Sequence, residues 1–240
     1  MSDGHRWLVL VLEAPLMAFG DVAIDHIGPT RDFPSLSMLT GLLGNALGYG
    51  RGDGDKLQAL QDRLVFAARR DREHPAGLLT DMQNAQLGED KRGWTTWGVV
   101  EERAGGSLNA PHRRQRDYHM DGSVSVVLRL TGAGSGLDID RLAAALDRPA
   151  RPLFIGRKPC LPSGPLRRAV IVAATAFDAL RLVPGDGDLR AVWPVGEGPE
   201  TGASVDRILD LPDRRNWRTG LHGGTRKVVE GWINPERAAA

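Results

Sequence analysis

The chain opens on an unbroken apolar run, Trp7 to Leu12, closed by Glu13 and Pro15. Continuous leucine and β-branched residues without polar alternation predict a strand covered on both faces. A loop rich in Gly, Asp and Pro follows to about residue 33. Leu36, Leu39, Leu43 and Leu47 then recur at helical spacing, with Ser35 or Ser37 as cap and Gly48 and Gly50 as stop. Gly41 and Gly44 inside that helix weaken it, which predicts close approach of another backbone or a ligand.

Residues 63–70 (RLVFAARR), 123–132 (SVSVVLRLTG) and 151–159 (RPLFIGRKP) read as three more strands, and residues 136–149 as a second helix with Asp138 or Asp140 near its start. Between residues 78 and 118 the periodicity fades, and the segment reads as an extended hairpin carrying Trp94 and Trp97. The order strand, helix, strand, strand, helix, strand predicts an α+β fold of ferredoxin-like type, the arrangement also used by RNA-recognition-motif domains, with the first and third strands central. From residue 166 to 240, short apolar pieces broken by Gly and Pro predict a smaller, mostly β C-terminal portion after a ferredoxin-like unit at 1–165.

Composition narrows the picture. With 240 residues, 41% hydrophobic and a formal charge of +1, the chain has enough apolar material for a core, and too little excess charge to coat nucleic acid or membrane by bulk attraction. Any polyanion site must be local, and the charge is uneven. Residues 1–62 hold eight acids against four bases, whereas residues 151–168 hold five bases and no acid. The single Cys160 excludes an intrachain disulfide and a CxxC pair, and the six histidines stand at no metal spacing. The glycine cluster at 41–54 fits neither GxxxxGK[ST] nor GxGxxG, so packing followed by a flexible loop accounts for it. The run WLVLVL is too short to span a membrane and lacks a cleavage site, which predicts a cytoplasmic protein without a membrane partner. No cofactor or metal is expected.

Chemistry concentrates in HRRQRDYHMDG, residues 112–122. Arg113, Arg114 and Arg116 could be a solvated hairpin surface. Beside Tyr118, Trp94 and Trp97 they are also the mixture a single nucleic-acid strand needs, because a guanidinium both binds phosphate in bidentate fashion and stacks on bases. Arg157 and Lys158 of the acid-free stretch would line the same region if residues 151–159 form the strand beside the first one. His119, with Tyr49 or Lys158, could instead perform acid–base work on RNA. Arg214, Arg215 and Arg218 in DRRNWRTG are weaker candidates for the same role, which could instead only face water or a partner protein.

Five stretches, LEAPLMAFG, GPTRDFPSLSMLTGLLGNALGYGRGD, LTDMQNAQLG, QRDYHMDGSVSVVL and RPLFIGRKPCLPSGPL, stand in the order and spacing of the CasD family, the family-five Cas subunits of type I-E CRISPR Cascade, which the chain resembles. The resemblance covers most of residues 6–168. It implies a modified RNA-recognition-motif fold with a thumb hairpin, at about 78–118 here, and a smaller C-terminal β portion. It also implies a non-catalytic subunit that binds the 5′ handle of crRNA at the foot of the complex. Such a subunit touches the backbone subunit CasC and the large subunit CasA, and meets target DNA only indirectly. By matching positions, the handle would pass Met17, Phe19, Arg31, Pro34, Ser35, Ser37, Arg116, Tyr118, Arg157 and Lys158, with phosphate at the start of the first helix. Arg113, Arg114, Trp94 and Trp97 would act from the thumb. The rival expectation comes from type I-C relatives, which cut precursor RNA without metal; Tyr49, His119 and Lys158 would then be catalytic.

Overall fold

A computed structural model of the protein describes residues 4–85, 93–94, 100–101, 112–132 and 136–236. Strand β1 (His5–Met17) forms where the apolar run predicts it, and Trp7, Leu8, Val9 and Leu10 are all buried, so both of its faces are covered. The short β2 (Ile27–Gly28) precedes the helices α1 (Leu36–Ala46) and α2 (Gly54–Arg63), after which come β3 (Leu64–Arg72) and β4 (Leu78–Ala85). Beyond β5 (Gly93–Trp94) and β6 (Val100–Glu101), which pair with each other, runs the 19-residue β7 (His112–Leu130). The described chain ends through α3 (Ile139–Asp147), β8 (Arg167–Ala173), α4 (Ala176–Leu182), β9 (Leu189–Pro194), β10 (Val205–Leu211) and β11 (Arg226–Ile233).

The main sheet runs β10-β11-β9-β3-β7-β1-β8. The first and third predicted strands, β1 and the inner half of β7, do lie side by side within it, in antiparallel register from Leu8↔Leu128 to Met17↔His119. The predicted fourth strand is displaced. Residues 151–159 form a loop, and the strand beside β1 is β8, from the segment assigned to the C-terminal portion. Pro152, Pro159, Pro162 and Pro165 interrupt any ladder there, because proline has no N–H to donate. The expected boundary at residue 165 is also crossed on the other side, where β9 continues the sheet from β3.

Helices cover both faces. Leu39 and Leu43 of α1, Leu60 of α2 and Leu142 of α3 close over Leu8, Leu10, Phe66 and Val126, while Ala176, Ala179 and Leu180 of α4 close over Trp7, Val9, Val127 and Trp193. Fully burying a Leu- or Phe-sized side chain stabilises by about 1.5–3 kcal/mol, so this two-sided core is the main holding force. α2 and α4 add to the predicted elements. Leu57, Leu60 and Leu64 behind Asp53, and Thr175 three residues before Asp178, are the sequence signals that mark them. Arg69, wholly buried, is tolerated because it donates to Asp71 Oδ1 at 2.7 Å and to the carbonyls of Leu180, Val183 and Pro184 at the end of α4.

The outer half of β7 extends the same sheet beyond β3 and β1. From His112 to His119 it pairs antiparallel with β4, as the predicted hairpin requires, and at Gln115 and Arg116 its other edge takes β2 in parallel. The junction is marked by Asp121 at φ +40° and by a register shift between Arg70 and Arg72 on β3.

Candidate nucleic-acid interface

Three segments distant in sequence meet at the junction of the two halves of β7: the loop after β1, the outer strand itself, and the loop at 151–165. Gly156 makes the last approach possible. It sits at φ +84°, and a Cβ there would stand 1.6 Å from the Ala18 carbonyl oxygen. The next residue, Arg157, donates to the carbonyls of Asp117 and Gly28 at 2.7 Å and Pro29 at 3.1 Å. Its guanidinium lies 4.8 Å above the centre of the buried Tyr118 ring. Arg116 arrives from β7 across Gly28, where a Cβ would meet Arg116 Nη1 at 2.7 Å and Arg157 Nη2 at 3.3 Å. Arg31 belongs to the same loop, but it is largely covered and tied to Asp21 at 2.9 Å and the Pro212 carbonyl at 3.2 Å.

The other expected residues scatter around this point. Met17 and Phe19 are buried core side chains. Pro34 and Ser35 are buried as well, Ser37 is half-buried, and the amides at the start of α1 are already occupied. Leu36 N–H donates to Asp213 Oδ2 at 2.9 Å, Ser37 N–H to the Asp213 carbonyl at 3.0 Å, and Met38 N–H to Ser35 Oγ at 3.1 Å. A carboxylate of the chain thus stands where phosphate was expected. Arg113, Arg114 and Lys158 are exposed, with Arg114 donating to the Asp25 carbonyl at 2.9 Å. Trp94 is placed by its backbone pairing with Val100, and Trp97 lies outside the described residues.

Beside the junction opens a cleft of about 750 Å³ between α1, the 151–165 loop and the loop 212–224. Its lining holds Arg51, Arg151, Arg157, Arg215, Arg218 and His222 and no Asp or Glu. Tyr49, Phe154 and Trp217 supply aromatic faces, and Gly41 and Gly44 open the α1 wall. Neither helix glycine is approached by another backbone: a Cβ on Gly44 would meet the Leu57 side chain at 2.4 Å, whereas one on Gly41 would sit in ordinary contact, 3.6 Å from the Trp217 ring. Among the described residues no carboxylate lies within 4.0 Å of Arg51, Arg151, Arg157 or Arg215; Arg218 pairs with Asp55 at 2.6 Å, and Arg151 donates to the carbonyls of Gly48 and Tyr49 at the end of α1. Unneutralised guanidiniums interleaved with aromatic rings suit a single nucleic-acid strand. Sequence reasoning does not single out Arg51, Phe154 or Trp217, and it ranks Arg215 only as a weaker candidate; DRRNWRTG carries the same arginine-and-aromatic mixture as residues 112–122 and is the available signal.

His119 belongs to a different cavity, of about 210 Å³, with Arg70, Glu73, Asp32 and Arg190. It is buried, Nε2 donating to the Arg31 carbonyl at 2.7 Å and Nδ1 accepting from Arg70 Nη2 at 3.3 Å. Burial, reinforced by the Arg70 charge, pushes its pKa below the usual histidine value. Tyr49 lines the large cleft and Lys158 lines neither, so the structure does not bring these three residues into one site.

Residues 7–229 match a family model described as CRISPR-associated protein (Cas_Cas5). The chain is 31% identical over 218 residues, covering 89% of it and 95% of the relative, to the CRISPR system Cascade subunit CasD of Escherichia coli (strain K12). Its fold is shared with a chain of a CRISPR RNA-guided surveillance complex, at 22% identity, TM-score 0.68 and coverage of 96% and 95% of the two chains. It is shared also with a Cas protein known from a crystal structure, at 22% identity, TM-score 0.59 and 97% coverage of both.

Proposed function

Because the chain belongs to the Cas_Cas5 family of CRISPR-associated proteins, we propose that it is a non-catalytic subunit of a type I-E Cascade surveillance complex that holds the 5′ handle of the crRNA. The observation that carries the reading is the acid-free cleft, where arginines and aromatic rings from α1, the 151–165 loop and the 212–224 loop converge. Phosphate contacts fix the strand, and stacking holds its unpaired bases.

In this reading β3, β7, β1 and β8 with α1 and α3 are a ferredoxin-like core, the β4–β7 hairpin is the thumb, and β9 to β11 are the smaller C-terminal β portion. Arg113, Arg114 and Arg116 carry the positive surface from the cleft onto the thumb. The subunit caps the foot of the complex beside CasC and CasA, touches target DNA only through the assembly, and works in the cytoplasm. Among the described residues no helix is long and apolar enough to cross a membrane. Endoribonuclease activity finds no support in the placement of Tyr49, His119 and Lys158.

The test is the salt dependence of binding between the full chain and a single-stranded RNA of handle length. Each phosphate that the protein no longer neutralises lowers the slope of log K against log salt by about 0.7. Arg51→Ala combined with Arg157→Ala is expected to weaken binding and to flatten the slope by that amount for every phosphate set free. A double variant that melts like the wild type and keeps both affinity and slope contradicts the assignment. Repeat RNA incubated in chelator is expected to stay intact; cleavage that disappears in His119→Ala would support the nuclease instead.

A further inference from the structure

We propose that Arg215 and Trp217, on the loop between β10 and β11, form a base-stacking subsite in the cleft that takes one unpaired nucleobase and favours a purine. The proposal rests on the reading that RNA occupies the cleft. Arg215 is set apart from the arginines around it. Arg214 pairs with Asp62 at 2.6 Å, Arg218 with Asp55 at 2.6 Å and Arg226 with Asp213 at 2.9 Å. Arg215 has no carboxylate partner among the described residues, its Nε is buried without a hydrogen-bond partner, and its guanidinium lies 5.0 Å over the Trp217 ring.

The stack is held in advance. Gln61 of α2, 1% exposed, accepts from Trp217 Nε1 at 3.0 Å and from Arg215 N–H at 3.2 Å, and donates to the Arg215 carbonyl at 2.9 Å. Gln58 accepts from the Trp217 amide at 3.1 Å, and Gly54 leaves room for the Trp217 carbonyl, which a Cβ there would meet at 2.7 Å. A shelf whose rotamers are already fixed loses little freedom on binding. An indole and a guanidinium in one stack, charged and facing an acid-free cleft, offer a flat π-surface and unspent N–H donors. That is the chemistry that recognises a nucleobase with its phosphate. Purines gain more because their stacking area is larger.

The test compares the full chain binding octamers of riboadenylate and ribouridylate. Trp217→Leu is expected to weaken the adenylate octamer about fivefold or more, leave the salt slope unchanged, and erase the preference over uridylate, while Trp217→Phe keeps most of both. Arg215→Gln is expected to flatten the slope by about 0.7. Trp217→Leu that binds adenylate as well as wild type, or that weakens both octamers equally, overturns the subsite. If Arg51→Ala still weakens binding in that case, the cleft reading stands without it; if neither variant has an effect, the cleft reading fails. Should Trp217→Leu not fold, an unchanged slope in Arg215→Gln overturns the subsite alone.

Discussion

His119 shows how burial redirects a residue whose type suggests chemistry. In the sequence it flanks an arginine group and invites an acid–base role; in the fold its ring packs 4.9 Å from Phe19 and both nitrogens are engaged, one by a carbonyl and one by the Arg70 guanidinium. The folded protein therefore keeps it neutral where the unfolded chain would take up a proton. The unfolded pKa is about 6.5 and the folded one is lower, so the stability His119 contributes is complete above about pH 6.5 and is lost as pH falls through the folded value. His119→Gln is expected to flatten the acid limb of thermal midpoint against pH. An acid limb as steep as in the wild type would show that His119 does not titrate this way. Tyr118 and Phe19 are legible in the sequence as aromatic, Arg157 as cationic; what one sequence does not display is which side chains are turned inward. That depends on register, and here the register puts Tyr118 beneath Arg157.

At the scale of elements, the start of α1 is the most informative junction. Its capping serine is readable, and Ser35 does cap it. Its second partner is not, because Asp213 lies 177 residues away in the chain, just beyond β10. Asp213 is wholly buried, binds two amides of α1, and is clamped by Arg226 at 2.9 Å. Removing one partner of such a buried pair costs about 3–5 kcal/mol. Asp213→Ala is thus expected to lower the thermal midpoint by roughly 6–20 °C, and a change under about 2 °C would show that Asp213 does not hold α1 to the C-terminal strands. The long apolar runs announce β1 and the inner half of β7 clearly. The displaced fourth strand has an identifiable cause: the apolar content of residues 151–159 suggests a strand, but Pro152 and Pro159 cannot donate to a ladder, and Gly156 needs a positive φ that no regular strand supplies.

At the scale of the molecule, a chain of net charge +1 makes a locally cationic surface by gathering arginines without carboxylate partners in one acid-free cleft. Arg6, Arg69, Arg72, Arg129, Arg167, Arg190, Arg207 and Arg214 all have carboxylate partners outside the cleft. Inside it, Arg51, Arg151, Arg157 and Arg215 have none among the described residues. The acid-free stretch at 151–168 points toward this arrangement from sequence alone. The 212–224 loop shows in the sequence only as the arginine-and-tryptophan mixture of DRRNWRTG; that it lines the same cleft depends on its contacts with Gln61 of α2, which no local pattern displays. Ultraviolet cross-linking of the full chain to single-stranded RNA, read out by peptide mass spectrometry, reports where the strand lies. Adducts are expected on Tyr49, Phe154 and Trp217; adducts confined to other faces of the protein, at the half-exposed Trp232 for example, with none in the cleft, would refute the cleft as the RNA site.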